Sequence, residues 1–213
     1  PQIGTLTENM KHRLAASGAK VHLEHPLDAQ GVLALAPDLV VVATGAKQSL
    51  PDIPGIRGKN IVMAWDVLDG SVQTGQEVVV VGGGLTGSDC AYYLARQGKR
   101  VSLINNSQVL VHVERLSKLT LKEKLINNGV YLYPLSRAES ITEKGVNVIN
   151  DGEIVFLKAD TVVISVGVRA DNGLAAQLAG LAPTLSVLTI GDAYDPRTAL
   201  EAIHEGFKIA TEA

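Results

Sequence analysis

The chain has little of what cysteine chemistry, a membrane or a nucleic acid would need. It contains one cysteine in 213 residues, Cys90. That excludes an internal disulfide, a Cys-x-x-Cys redox pair and any cysteine-rich metal site. The apolar runs, among them Leu39–Ala43, Val78–Val81 and Cys90–Ala95, fall far short of the ~18 residues a membrane helix requires. No apolar h-region of a secretory leader opens the chain. Nor is there a basic run: Lys and Arg number 19 against 22 Asp and Glu, for a net charge of -3, so nucleic acid is not an expected partner. A cytoplasmic, reducing compartment fits this composition. The five histidines (His12, His22, His25, His112 and His204) show no metal-ligand spacing and read as surface or capping residues. No nucleophile elbow is present, so hydrolase chemistry has no support and no residue is assigned a catalytic role.

What the chain does have is a valine run followed by glycines. Glu77-Val-Val-Val-Val81 reads as a strand buried on both faces, as in a parallel sheet. Gly82, Gly84 and Gly87 then form G-x-G-x-x-G, and a helical pattern continues to Arg96. In that arrangement Gly82 permits the turn, Gly84 lets the backbone approach a pyrophosphate, and Gly87 lets helix and strand pack closely. Free N–H groups at the helix start suit an anion. The strand before and the helix after make this a dinucleotide site, and Val101–Ile104 completes the βαβ unit.

Around it the pattern predicts further elements. Thr7–Ser17 reads as a helix, Ala19–Glu24 as a short strand and Ala36–Ala43 as a buried strand ending in Thr44-Gly45. Pro51, Pro54, Gly55 and Gly58 mark an irregular connection within residues 48–76, with a strand end and short helix at Ile61–Gly70. Ser117–Asn127 is helical. Val130–Tyr133, Ser136–Thr142, Val146–Asn150 and Glu153–Leu157 suggest a small antiparallel meander. A second buried strand fills Ala159–Gly167, and Ser186–Ile190 runs into Gly191-Asp192 before a helix from Arg197 to Ala213. Asp38–Gly45 and Asp160–Gly167 share one plan of acid, apolar run, small residue and glycine. This weak repeat indicates two related nucleotide domains. The first lacks its own strand and glycine turn, so the chain reads as an excised piece of a longer protein.

These four motifs, in this order, resemble the two-dinucleotide-domain flavoproteins of the pyridine nucleotide–disulfide oxidoreductase type. Gly83–Gly98 and Gly191–Gly206, with the linker Val62–Gly70, are most similar to the C-terminal part of the NADH:flavin oxidoreductase / 2,4-dienoyl-CoA reductase family. That group includes enoate reductases and trimethylamine dehydrogenase. The resemblance implies an α/β fold in which a Rossmann-like nicotinamide domain, residues 77–167, is inserted in a truncated FAD-type domain, residues 1–47 and 168–213. It implies that Gly82, Gly84, Leu85, Thr86 and Gly87 hold the pyrophosphate of NAD(P)H and that Gly167 approaches it from the far strand. Thr44, Gly45, Gly191, Asp192, Ala199 and Leu200 would belong to the FAD site, with Asp192 on the ribityl chain and the N–H groups of 198–200 toward the flavin. Hydride would pass from NAD(P)H to FAD and onward to a barrel domain, outside this chain, that carries FMN and a 4Fe-4S cluster.

Two positions depart from the family pattern. Asn105 and Asn106 stand where an acid usually binds the ribose of NADH, and no Arg stands there for a 2′-phosphate; the balance tips slightly to NADH. Asp89 replaces a Glu and serves as either a contact beside the nicotinamide or a satisfied first-turn acid. A non-catalytic module holding ADP is the alternative reading. Self-association through the uncovered strand 38–43 is also expected.

Overall fold

The computed structural model describes residues 2–111 and 113–212; Pro1, His112 and Ala213 lie outside them. In chain order the first elements are α1 (Gln2–Ala16), α2 (Ala29–Ala34), β1 (Leu39–Val42), β2 (Ala46–Gln48), β3 (Ile61–Met63) and α3 (Ala64–Leu68). The glycine-rich region gives β4 (Glu77–Val81), α4 (Leu85–Arg96) and β5 (Arg100–Ile104), then α5 (Arg115–Asn127) and β6 (Tyr131–Tyr133). Next come β7 (Ser136–Thr142), β8 (Gly145–Asn150), β9 (Glu153–Lys158), β10 (Thr161–Ile164) and β11 (Val168–Ala170). The chain ends with α6 (Gly173–Leu181), β12 (Ser186–Thr189), a single 3-10 turn at Gly191–Ala193, and α7 (Ala199–Glu212). No helix among the described residues is long and apolar enough to cross a membrane.

Packing divides the chain into two compact units. The larger comprises Val42–Asn172 and the residues from Thr189 onward. Its centre is a five-stranded sheet in the order β3-β10-β4-β5-β6, parallel at every pairing. The strand period of two sends Val78 and Val80 to one face, against Cys90, Ala91 and Leu94 of α4 and Leu125 of α5. Val79 and Val81 point to the other face, against Val146, Val148 and Leu157 of the antiparallel sheet β7-β8-β9. Both faces of β4 are therefore covered, which is why its sequence is a continuous valine run. This is the Rossmann-like parallel sheet expected from the sequence.

The repeated strand-glycine pattern has a structural counterpart. Gly45 and Gly167 both adopt positive φ, +76° and +100°, a region glycine enters without a Cβ clash. Each releases the chain into a short strand, and these two strands, β2 and β11, pair antiparallel. Thr44 donates its hydroxyl to the Asp171 carbonyl, and Lys47 pairs with the Asp171 carboxylate at 2.9 Å. The acid of the second repeat has its own task. Asp160 accepts the N–H groups of Gln76 and Glu77 at 3.0 and 2.9 Å, fixing the start of β4 beside β10. Those bonds hold its carboxyl below the usual range.

The smaller unit comprises the residues up to Val41 and Gly173–Leu188. Three expectations need correction in the fold. Residues 19–24 form no strand and are solvent-exposed; the alternation is there, but no neighbouring strand offers a ladder. The strand at 39–42 forms but is buried only at Val42, because it pairs with β12 alone and no layer covers it. Tyr131–Tyr133 does not belong to the meander; it closes the edge of the parallel sheet beside β5.

Candidate functional site

The turn from β4 to α4 shows why each glycine stands where it does. Gly82 has φ +111°, and a Cβ there would lie 2.0 Å from the Ser165 carbonyl oxygen. A Cβ on Gly87 would lie 1.9 Å from the Gly82 carbonyl oxygen. Both positions are closed to any side chain, and together they bring the helix start against the strand. Gly84 differs: nothing lies within 4 Å of where its Cβ would be. It borders a cleft of about 620 Å³. The start of α4 has no side-chain cap, unlike α2, capped by Asp28, and α5, capped by Glu114. The first N–H groups of α4 thus have no capping side chain and border the cleft, at the positive end of the helix dipole.

Of the residues assigned to a nicotinamide dinucleotide, Gly82, Gly84, Leu85, Asn105 and Gly167 line this cleft. Gly87 and Thr86 do not; Gly87 acts through helix packing. The pattern of Gly84 open, Gly82 and Gly87 closed and an uncapped helix start fits a pyrophosphate-bearing ligand.

Asn105 is occupied within the protein. Its Oδ1 accepts the Gly83 N–H at 2.9 Å, and its Nδ2 donates to the Ser107 hydroxyl, the Ser107 carbonyl and the Gln108 carbonyl. The side chain fastens the glycine loop to the end of β5, with one lone pair of its oxygen taken by the Gly83 N–H. The sequence showed only the absent acid, not this clasp. Ser136 and Arg137 also line the cleft and went unnoticed in the sequence. They reach it because the Ser136 N–H donates to the Asn105 carbonyl at 2.8 Å, a long-range contact with no local signature. Asp89 does not line the cleft; partial burial raises its carboxyl somewhat and Lys124 opposes that rise. Tyr92 packs on the core while Tyr93 is exposed.

Cys90 is buried against the sheet face of α4. Desolvation, with a smaller contribution from Asp89, pushes its thiol up to about 12. It is therefore a protonated core residue and not a redox thiolate.

A second cavity of about 370 Å³, also in the larger unit, brings Gly45, Gly191, Asp192 and Ala199 together with Arg197. Thr44 and Leu200 do not line it; the Thr44 hydroxyl is taken by Asp171. Gly191 holds φ +58° and donates its N–H to Glu205 Oε2 at 2.7 Å. Glu205 also pairs with the Arg197 guanidinium, so one carboxylate ties the 3-10 turn to α7 and to the loop between them. Asp192 Oδ1 accepts the Arg197 N–H at 3.2 Å.

The start of α7 is less open than the resemblance implies. The Thr198 N–H goes to Glu201 Oε2 at 3.0 Å and the Leu200 N–H to the Thr198 hydroxyl at 3.2 Å. Thr198 and Glu201 form a reciprocal capping box. Two of the N–H groups expected to face a flavin therefore already have partners. The fit to a flavin is carried instead by the Gly45 and Gly191 turns and by Asp192, whose second oxygen has no protein partner among the described residues. No group of His, Cys, Asp and Glu among the described residues is arranged to hold a metal, and His22 and His25 only approach each other at 5.9 Å between rings.

The chain is similar to known oxidoreductases. The chain is 31% identical to an NADH oxidase of Thermoanaerobacter brockii over 94% of its length, which is 32% of that protein. Among solved structures it superposes on a 2-naphthoyl-CoA reductase with TM-score 0.89 and 31% identity, covering 95% of this chain and 31% of that one. It superposes on a 6-hydroxypseudooxynicotine amine oxidase of Pseudomonas geniculata N1 with TM-score 0.81 and 27% identity, covering 91% and 31%. The chain thus spans about a third of the length of these relatives. They are oxidoreductases, as the motifs implied. The family model described as pyridine nucleotide-disulphide oxidoreductase matches residues 2–184, and the chain belongs to that family.

Proposed function

We propose that this chain is the electron-entry part of an NAD(P)H-dependent flavin oxidoreductase. The observation that carries the reading is the uncapped start of α4 over the 620 Å³ cleft, with Gly84 open and Gly82 and Gly87 closed. The α4 N–H groups hold the dinucleotide pyrophosphate, Leu85 and Gly167 shape the cleft beside it, and the Asn105 clasp keeps the glycine loop in place. Gly45, Gly191 and Asp192 hold the second, flavin-bearing dinucleotide, with Glu205 bracing the turn that presents Asp192. Bound there, the two cofactors would supply hydride transfer from nicotinamide to flavin, while the protein's part would be to orient them. Cys90, buried and protonated, takes no part in it.

Since the chain spans a third of its relatives, further domains are part of the proposal: a barrel with FMN and a 4Fe-4S cluster that receives the electrons, in a cytoplasmic protein. The alternative, an adenine-nucleotide module that holds ADP without hydride transfer, is favoured by one feature, the self-capped start of α7.

The test is calorimetric titration of the chain with NADH, NADPH, FAD and ADP, beside a Gly84→Val variant. Binding of a nicotinamide dinucleotide, weakened at least about tenfold by Gly84→Val, is the expected result. ADP binding with no response to either nicotinamide dinucleotide at millimolar concentration would favour the alternative.

A further inference from the structure

We propose that Arg137 is the specificity-determining residue of the dinucleotide cleft, reading the 2′-phosphate of NADPH and so favouring NADPH over NADH. This rests on the cleft holding a nicotinamide dinucleotide, and it reverses the slight preference for NADH drawn from the sequence.

The inference starts from what the end of β5 offers. A ribose with both hydroxyls free is best met by an acceptor at that strand end, and a carboxylate is the strongest. Here Asn105 occupies the position with its oxygen committed to Gly83 and its amide nitrogen to Ser107 and Gln108. Asn106 and Ser107, which follow it along the cleft wall, are neutral. No carboxylate stands at this end to favour a diol over a phosphate.

The charge comes from the neighbouring strand. Arg137 is the one Lys or Arg, and Asp52 the one Asp or Glu, among the described residues that line the cleft. Asp52 belongs to the 51–53 segment and not to the strand end. Arg137 follows Ser136, whose N–H is bonded to the Asn105 carbonyl, so its backbone is held one residue from the end of β5, within a side chain's reach of it. Its sheet partner is Ile149 on β8, and its side chain is 67% exposed and pairs with Glu139 Oε2 at 2.9 Å. An exposed pair of this kind holds its partners weakly, so a phosphate can take the Glu139 place. A planar guanidinium matches phosphate oxygens with two parallel hydrogen bonds. The β-bulge between Ala138 and Ser140 falls at Glu139, within this pair, and bulges re-aim side chains beside sites.

Titration with NADPH, NADH, adenosine 2′,5′-bisphosphate and 5′-AMP tests this, on the unaltered chain and on Arg137→Gln and Glu139→Gln. NADPH should bind at least about tenfold tighter than NADH, the bisphosphate should exceed 5′-AMP similarly, and 0.5 M salt should shrink both differences. Arg137→Gln should remove the difference by weakening NADPH alone, and Glu139→Gln should strengthen NADPH by freeing the guanidinium. NADH bound as tightly as NADPH overturns the inference and leaves the cleft reading standing. Equal weakening of both dinucleotides in Arg137→Gln also overturns it, by placing Arg137 against the adenine. Binding of neither overturns the cleft reading itself.

Discussion

The Asn105 side chain accepts the Gly83 N–H at 2.9 Å, so the strand that should read a ribose is instead the anchor of the glycine loop. Removing the acceptor leaves a largely buried N–H without a partner, which costs about 1–3 kcal/mol. Asn105→Ala should lower the urea midpoint accordingly and weaken NADH and NADPH by the same factor, because the loop and not the ribose contact is disturbed. Denaturation with the two titrations checks both halves of this expectation.

The glycines separate by what their missing Cβ atoms would meet. Gly87→Ala would place a methyl 1.9 Å from the Gly82 carbonyl, so backbone must move; loss of about 1–3 kcal/mol is expected, the usual cost of overpacking, with loss of nucleotide binding. Gly84→Val would meet no protein atom within 4 Å at its Cβ and should cost no more than about 1 kcal/mol. Its effect should appear in binding, since it fills the space of approach to the ligand. Thermal melts beside titrations distinguish the two; equal destabilisation would contradict the geometry.

Much of this was readable beforehand, for a physical reason. Val78–Val81 is a local run whose burial on both faces leaves a one-dimensional trace, and Gly82, Gly84 and Gly87 stand at a motif's fixed spacing, although Gly82 also answers to the distant Ser165 carbonyl. The parts that were missed depend on distant residues. Arg137 reaches the cleft only because β6 lies beside β5, and Asn105 looked like a missing acid because its partner, Gly83, is fixed by the turn and not by spacing. Residues 19–24 show the converse error: their alternation is genuine, but a strand also needs a neighbour, and the sequence does not say whether one is present.

Cys90 should be inert in the folded protein. Its thiol is buried and pushed up to about 12, so almost none is thiolate at pH 8. Iodoacetamide at that pH should leave it unmodified by mass spectrometry until urea unfolds the chain. Rapid labelling in native buffer would show that α4 separates from the sheet more readily than its packing implies.

Exposed apolar side chains in each unit give the proposed self-association separate candidate surfaces. Leu200, Ile203 and Phe207 lie at helical spacing on α7 and are all exposed, Phe207 to 71%. Leu39 and Val41 are exposed on β1. Exposed apolar faces of this sort favour association with another chain. Light scattering should show the chain growing from monomer toward larger species with concentration, and Phe207→Glu should diminish that growth. A strictly monomeric chain at high concentration would remove the proposal.

Glu205 links acid stability to the second site. Its carboxyl lies below the ordinary range, first because it accepts the Gly191 N–H and second because Arg197 pairs with it. A carboxyl depressed on folding adds stability that is complete above the unfolded pKa, about 4.3 for Glu. That contribution disappears as pH falls through the lower folded value. Glu205→Gln removes the titration, so stability should fall less steeply between pH 5 and pH 3 in the variant, while at pH 7 the variant should be the less stable of the two. If Glu205 braces the turn that presents Asp192, the same variant should also weaken FAD and leave NADPH unchanged. Loss of both ligands together would mean that the clasp supports the fold at large, and that Asp192 is not its particular beneficiary.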